Sequence, residues 1–135
     1  MKLADVRPGL ALPTLTKPPI STRQLVQYAG ASGDYNPLHT DEVYTTKIAG
    51  YPSVFAHGML SMGFFGELVA RWAGAANIVR ISTRFKAVTL PGDVVTVEGV
   101  VTEVDAGAHT ASIALTAKTQ KGVVTLEGTA TVRLD

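Results

Sequence analysis

One short loop contains the residues best suited to acid–base chemistry. Asp34 and His39 lie five residues apart within residues 32–41, a segment that also contains Gly33 and Pro37. Glycine admits backbone angles that are closed to other residues, and proline lacks an amide donor and favours an extended conformation at the residue before it. We therefore expect a fixed, irregular loop. A carboxylate and an imidazole differ enough in basicity to divide proton removal and proton delivery between them.

The same loop contains two polar residues with a supporting role. Asn36 and Ser32 flank the aspartate, and short polar side chains of these types form hydrogen bonds with nearby backbone groups in turns. We expect both to hold the loop in place. An aspartate in such a turn is usually only a turn former. A catalytic role for Asp34 is favoured because His39 lies in the same loop and a second motif follows.

That second motif is Ala56–Met59, which opens the most apolar segment of the chain. We predict a long buried helix over residues 57–73. The first amides of a helix lack intrahelical partners and the helix dipole favours negative charge there, so the Gly58 amide is a natural site for a developing oxyanion. For His57 two interpretations stay open, a direct acid role or a structural role in capping and packing, and the second is favoured.

The remaining sequence predicts the frame that positions these motifs. An extended lead-in with Leu10, Leu12 and Leu15 occupies residues 1–20, and short helices follow from Ser21 or Thr22 to the Gly30–Gly33 region and over residues 42–47. After Gly74 the apolar period changes from 3.6 to 2. This pattern predicts four one-sided strands, with a bulge at Gly99, over Ile81–Ala87, Val95–Val101, Ala111–Ala117 and Val124–Val132. The fold class is therefore α+β: one domain, residues 1–135, with a curved antiparallel sheet wrapped around one long central helix.

Composition excludes several functional classes. The formal net charge is +1, which gives no electrostatic footprint for nucleic acid or a membrane surface, and the chain has no cysteine. Thiol nucleophiles and thiolate metal sites are thus absent, and the three histidines lack the spacing of metal ligands. No signal peptide and no apolar stretch long enough to span a bilayer is visible. We expect a soluble cytoplasmic protein that needs neither a metal nor a cofactor.

Taken together, the motifs resemble the MaoC-like family of (R)-specific enoyl-CoA hydratases and (3R)-hydroxyacyl-acyl-carrier-protein dehydratases, which has the hot-dog fold. The resemblance rests on three segments in this order: Tyr28–His39, Ala56–Met59 and Phe85–Asp93. The predicted long helix lies between the second and the third. It covers essentially the whole chain. The sequence is most similar to the dehydratase subunits of type II fatty-acid elongation.

The resemblance implies a reaction and a role for each matching residue. The reaction is the reversible hydration of a trans-2-enoyl thioester, carried by CoA or by acyl-carrier protein. Asp34 and His39 match the pair that holds and activates the water, and Gly58 matches the residue whose amide binds the thioester oxygen. His57 and Met59 flank that glycine and are candidate substrate-binding residues, although Met59 is first expected in the core.

This chain departs from the family pattern at one position. Some relatives have a hydroxyl residue in the active site about two turns into the central helix, and the aligned residue here is Gly66. A hydroxyl that positions the aspartate would have to come from Ser61 or Ser32 instead.

Two rival functions remain. Hot-dog thioesterases typically place their carboxylate on the central helix, where this chain has only Glu67, beside Arg71. The other rival is a partner-dependent subunit of a heterodimeric dehydratase. Because this chain has the Asp–His pair, we expect it to be the catalytic member or to form a homodimer, for which an exposed strand edge would be suited.

Overall fold

The computed structural model describes residues 1–135, which form a five-stranded antiparallel sheet packed against one long helix. Two α-helices and five strands follow one another as β1 (Leu15–Thr16), α1 (Thr22–Ser32), α2 (Gly58–Ala73), β2 (Ile78–Phe85), β3 (Thr96–Asp105), β4 (Thr110–Lys118) and β5 (Val124–Arg133). Single-turn helices at Leu3–Asp5, Pro37–His39, Tyr44–Ile48 and Ala75–Asn77 complete the chain. The strand order is β1-β3-β4-β5-β2.

The core lies between α2 and the inner face of the sheet. Phe65, Leu68 and Val69 of the helix are at most 2% exposed. Alternate residues of the central strand β4 are equally buried, namely Ala111, Ile113, Leu115 and Ala117. Period-2 burial on the strands and near-complete burial of the helix are what the apolar pattern predicts, and the predicted α+β architecture is confirmed.

The capping of the first helix follows its sequence. The Ser21 hydroxyl accepts a hydrogen bond from the Gln24 amide at 3.1 Å, and Gly33 ends the helix in the left-handed conformation with φ of +77°. Glycine adopts this conformation without the penalty that a Cβ imposes. The end of α1 therefore delivers the chain directly into the acid–base loop.

Two local predictions are wrong, the bulge at Gly99 and the inward orientation of Phe85 and Ala87 on strand β2. Gly99 is no bulge: it pairs in register with Leu115, and the register shift lies between Val101 and Glu103. A side chain at Gly99 would place its Cβ 3.1 Å from the Leu12 and Leu115 side chains, so close packing explains the glycine. The lead-in runs extended along β3 as predicted, but its regular pairing is limited to the two-residue strand β1 and an isolated bridge between Ala11 and Val100.

The second short helix, predicted over residues 42–47, is present, and its main part is the π-helix Tyr44–Ile48. Asp41 caps it as a helix-starting residue would, accepting the Tyr44 amide at 2.9 Å. The Thr45 side chain is fully buried, and its hydroxyl contacts the carbonyl oxygens of Pro37 and Asp41. This turn is thereby tied to the acid–base loop.

Strand β2 also differs from expectation. It was predicted to be one-sided, with Phe85 and Ala87 facing inward, but Phe85 is 54% exposed and Ala87 lies beyond the strand. The reason is its place at the edge of the sheet, where it pairs only with β5. No helix in the chain combines the length and the apolarity needed to cross a lipid bilayer.

Candidate active site

A series of local hydrogen bonds fixes the loop that contains Asp34. The Ser32 hydroxyl accepts from the Asp34 amide, the Asp34 carboxylate accepts from the Asn36 amide, and the Asn36 side-chain oxygen accepts from the Leu38 amide, each at 3.1 Å. These side chain-to-backbone bonds replace helical ones and define an irregular turn. The loop-holding contacts expected of Ser32 and Asn36 are present.

Asp34 and His39 face each other across a gap. The Asp34 Oδ2 atom lies 3.9 Å from His39 Nε2, which is too long for a direct hydrogen bond. The imidazole is 8% exposed, whereas half of the aspartate side chain is open to solvent. His39 Nδ1 lies 2.7 Å from the Phe55 carbonyl oxygen. Since a carbonyl only accepts, Nδ1 donates, and in the neutral ring Nε2 presents a lone pair towards Asp34.

His57 lies directly behind this pair. Its side chain is 1% exposed, and its Nε2–H donates to the Asp34 backbone carbonyl at 3.1 Å. Its ring stacks on that of His39 with 3.8 Å between centroids and 25° between planes, and the Tyr28 ring meets it edge-on at 4.8 Å. Of the two interpretations of His57, packing fits the structure, because the ring lies against those of Tyr28 and His39 and the side chain makes no cap hydrogen bond to α2.

Burial lowers the pKa of His57 below its ordinary value. The hydrogen bond to the Asp34 carbonyl opposes this shift and the nearby His39 charge adds to it. The Nδ1 atom is buried and has no hydrogen-bond partner. Both features favour a neutral ring with the proton on Nε2.

Gly58 begins helix α2 beside a groove of about 490 Å³. Its amide makes no hydrogen bond within the protein, as expected at the first position of a helix. A Cβ at this position would lie 2.7 Å from Cε1 of Phe85, so a larger residue here would require that ring to move. Gly58 and Asp34 line the same groove.

The groove combines apolar walls with a few polar groups. It is lined by Asp34, Phe55, Ala56, Gly58, Met59, Ser61, Phe85, Lys86, Ala87, Val88, Thr89, Thr125 and Leu126. Met59 is 56% exposed, so it lies in the groove wall and not in the core as first expected. Gly66 does not border the groove, whereas Ser61, 2% exposed, does.

Sequence reasoning missed some contributors to this site. The Phe55 carbonyl, which fixes the His39 tautomer, and the Phe85 ring, which covers Gly58, both come from distant parts of the chain. Phe85 belongs to the motif Phe85–Asp93, but the alternation of apolar residues along its strand predicted that its side chain faces the core. His109 lies apart, in the β3–β4 turn with φ of +52°.

Side-chain ligand atoms of Asp34, His39 and His57 lie within 4.8 Å of one another. The spacing of the three histidines did not predict this grouping, which includes a carboxylate and leaves out His109. The two imidazoles are stacked with 3.8 Å between ring centroids and 25° between planes, so an ion in the plane of one ring would lie out of the plane of the other. One nitrogen of each ring also faces a backbone carbonyl.

The carboxylate on the central helix lies outside the groove. Glu67 accepts hydrogen bonds from Lys17 and from Arg71, both at 2.6 Å. The Lys17 bond is the main cause of the lowered pKa of Glu67. A carboxylate held by two cations and absent from the groove lining is poorly placed to act on a bound thioester.

The MaoC like domain family matches residues 7–123 of the chain. This chain belongs to the MaoC-like family. The (R)-specific enoyl-CoA hydratase of Rhodospirillum rubrum is 36% identical over 115 residues, which make up 84% of this MaoC-like chain and 78% of that protein. The 3-hydroxyacyl-thioester dehydratase Y of Mycobacterium tuberculosis is 45% identical over 65 residues, or 46% of this chain, but only 22% of that longer protein is covered.

A solved structure of the (R)-hydratase from A. caviae involved in PHA biosynthesis superimposes with a TM-score of 0.86 at 27% identity, covering 96% of this chain and 98% of that one. The family resemblance and the hot-dog fold predicted from the motifs are confirmed.

Proposed function

We propose that this MaoC-like chain catalyses the reversible hydration of trans-2-enoyl thioesters to (3R)-hydroxyacyl thioesters. The main support is that Asp34 and Gly58 line one apolar groove, and that His39 Nε2 lies 3.9 Å from the Asp34 carboxylate. Relatives along most of the chain have names that describe this reaction. The substrate class is an enoyl thioester of CoA or acyl-carrier protein, and no metal or cofactor takes part.

In the proposed mechanism a water molecule bridges the acid–base pair. A water about 2.8 Å from each of two acceptors fits between atoms separated by 3.9 Å. It donates to Asp34 Oδ2 and His39 Nε2, and its lone pair is left to attack C3 of the enoyl group. One member of the pair takes a proton from the water, and the pair then delivers a proton to C2.

The Gly58 amide stabilises the charge that moves to the thioester oxygen. As the C3–O bond forms, the C2=C3 electron pair shifts and an enolate develops at C1–O. A free amide at the first position of α2, aided by the helix dipole, is suited to this oxyanion. Met59 supplies an apolar side wall for the substrate next to that amide.

The remaining predicted site residues act through others. His57 holds the Asp34 main chain and the His39 ring, so we assign it positioning rather than substrate binding. Ser32 and Asn36 orient the aspartate through the turn bonds described above.

We further infer that the working unit is a homodimer. Strand β2 is eight residues long, lies at the sheet edge and is exposed at Val79 and Phe85. Long free edges with apolar side chains are suited to pairing with a second strand. The loop that follows β2 lines the groove, so pairing there would also cover the open side of the site. A heterodimer with a related subunit is the competing arrangement.

The purified chain alone tests the proposal. It is assayed with crotonyl-, octenoyl- and dodecenoyl-CoA for loss of enoyl absorbance, and the configuration of the product is determined. We expect water addition with (3R) product. Absence of turnover, or (3S) product, would contradict the proposal, and release of free CoA thiol would favour the thioesterase rival instead.

A further inference from the structure

We propose that the Ser61 hydroxyl donates a second hydrogen bond to the thioester oxygen, beside the Gly58 amide. The inference rests on the proposed hydration and assigns one more residue to the same site. Ser61 is 2% exposed, yet it lines the groove together with Gly58 and Asp34. Its Oγ makes none of the side-chain hydrogen bonds of the protein and is not among the buried polar atoms without a partner, so it keeps surface open to the groove, whereas the hydroxyls of Thr45 and Thr125 are bonded to backbone carbonyls.

Helix geometry places this hydroxyl close to the Gly58 amide. Ser61 follows Gly58 by three residues on α2, and residues at this spacing share one helix face. Helical side chains lean towards the N-terminus, over the preceding turn. The hydroxyl therefore lies on the groove side of the turn that Gly58 opens, where a thioester oxygen bound by the amide would sit.

The alternatives available to a helical serine are not used. Serine in a helix often donates to the carbonyl one turn earlier, which for Ser61 is the carbonyl of His57. That oxygen instead receives the amides of Leu60 and Ser61 at 3.1 and 3.5 Å. Because a hydroxyl both donates and accepts and its proton rotates freely, Ser61 is available to a ligand.

Alanine would suit this buried position better for stability alone. Serine has a lower helix propensity than alanine. An interaction made with substrate would explain why a hydroxyl stands here. In the reaction, negative charge grows on the thioester oxygen as the enolate forms and is lost when C2 receives its proton, so a preorganised second donor lowers the barrier.

The test compares Ser61→Ala with the wild-type chain in enoyl-CoA hydration. We expect kcat to fall by about 10²-fold, the order reported for loss of one oxyanion donor, with KM within about twofold and Tm unchanged or raised. Ser61→Cys keeps the side-chain volume with a weak donor and should also lose turnover. Thr119→Ala, which removes a buried hydroxyl in the β4–β5 turn away from the groove, should keep wild-type kcat.

A carbonyl stretching frequency provides a readout independent of turnover. With a 3-hydroxyacyl-CoA labelled with ¹³C at the thioester carbonyl, the bound carbonyl should absorb at lower frequency in the wild type than in Ser61→Ala, since a hydrogen bond weakens that bond. Equal frequencies together with equal kcat would overturn the role of Ser61. An inactive wild-type chain would sink the proposed hydration, and the infrared comparison would still decide whether Ser61 touches the carbonyl.

Discussion

At the scale of single residues, the site depends on a stack of two imidazoles with different surroundings. His39 directs Nε2 towards Asp34, whereas His57 is enclosed, with its pKa lowered by burial and its Nε2–H bonded to the Asp34 carbonyl. A neutral His57 supports the pair without placing a positive charge beside His39. The sequence placed both histidines near the site, but only the tertiary contact between the loop and the start of α2 distinguishes their roles.

The lowered pKa of His57 makes stability depend on pH. In the unfolded chain this imidazole has its ordinary pKa of 6.5, so below that pH the unfolded state binds a proton that the folded state resists. The His57 contribution is therefore present above pH 6.5 and is lost as pH falls through the folded-state value.

Urea unfolding at pH 7.5 and pH 5.5 measures this loss. We expect the free energy of unfolding of the wild type to fall between these values, and to fall less in His57→Gln, which keeps a donor for the Asp34 carbonyl. His109→Gln, in the β3–β4 turn, should retain the wild-type slope. Parallel pH dependence in all three proteins would contradict a buried neutral His57.

At the scale of elements, local chemistry and long-range pairing differ in what the sequence predicts. The helix caps and the acid–base loop were predicted because their hydrogen bonds join residues two or three positions apart. The exposure of β2 was missed, since alternation does not indicate which strand takes the edge of the sheet. The role of Gly99 was missed for the same reason: its contacts with Leu12 and Leu115 depend on how β3 packs against distant segments.

A hydrogen-bonded ion pair outside the site joins the segment after β1 to helix α2. Lys17, after β1, donates to Glu67 of α2 at 2.6 Å, and its ammonium lies 5.1 Å from the Phe64 ring centre. Both charged side chains are less than a third exposed, whereas Arg71, the other partner of Glu67, is 67% exposed. The Lys17 bond is thus the stronger of the two.

Lys17→Met should lower the free energy of unfolding at pH 7 by about 1 kcal/mol, and Arg71→Met by much less. Because the pKa of Glu67 is lowered chiefly by Lys17, this stabilisation is present above the ordinary carboxyl pKa and disappears as pH falls through the folded value. Urea unfolding at pH 7 and pH 3.5 measures both effects. Equal losses in the two variants would contradict the distinction.

At the scale of the whole molecule, the sheet has one long free edge. Strand β1 at the opposite edge has only two residues, whereas β2 has eight and presents exposed apolar side chains. The sequence did not predict which strands lie at the two edges of the sheet. The short turns between β3, β4 and β5 are consistent with their pairing as antiparallel neighbours. The groove opens next to β2, so assembly and activity should depend on the same edge.

Val79→Asp introduces a charge at this edge and should convert the proposed homodimer to a monomer. Sedimentation equilibrium of the wild type should give about twice the chain mass of 14.2 kDa, and the variant should give one chain mass. Val123→Asp, similarly exposed but between β4 and β5, should stay dimeric. A monomeric wild type would refute pairing through β2.

The most direct test of the account is turnover of enoyl-CoA by Asp34→Asn and His39→Ala. Removing either member of the pair should lower kcat by about 10²- to 10⁴-fold while the circular dichroism spectrum stays that of the folded chain. Asp105→Asn is the matched control, because Asp105 also accepts turn amides, from Gly107 and Ala108, but in the β3–β4 turn, and its turnover should equal that of the wild type. Wild-type kcat in either Asp34→Asn or His39→Ala would contradict the central claim that these two side chains activate one water beside the Gly58 amide.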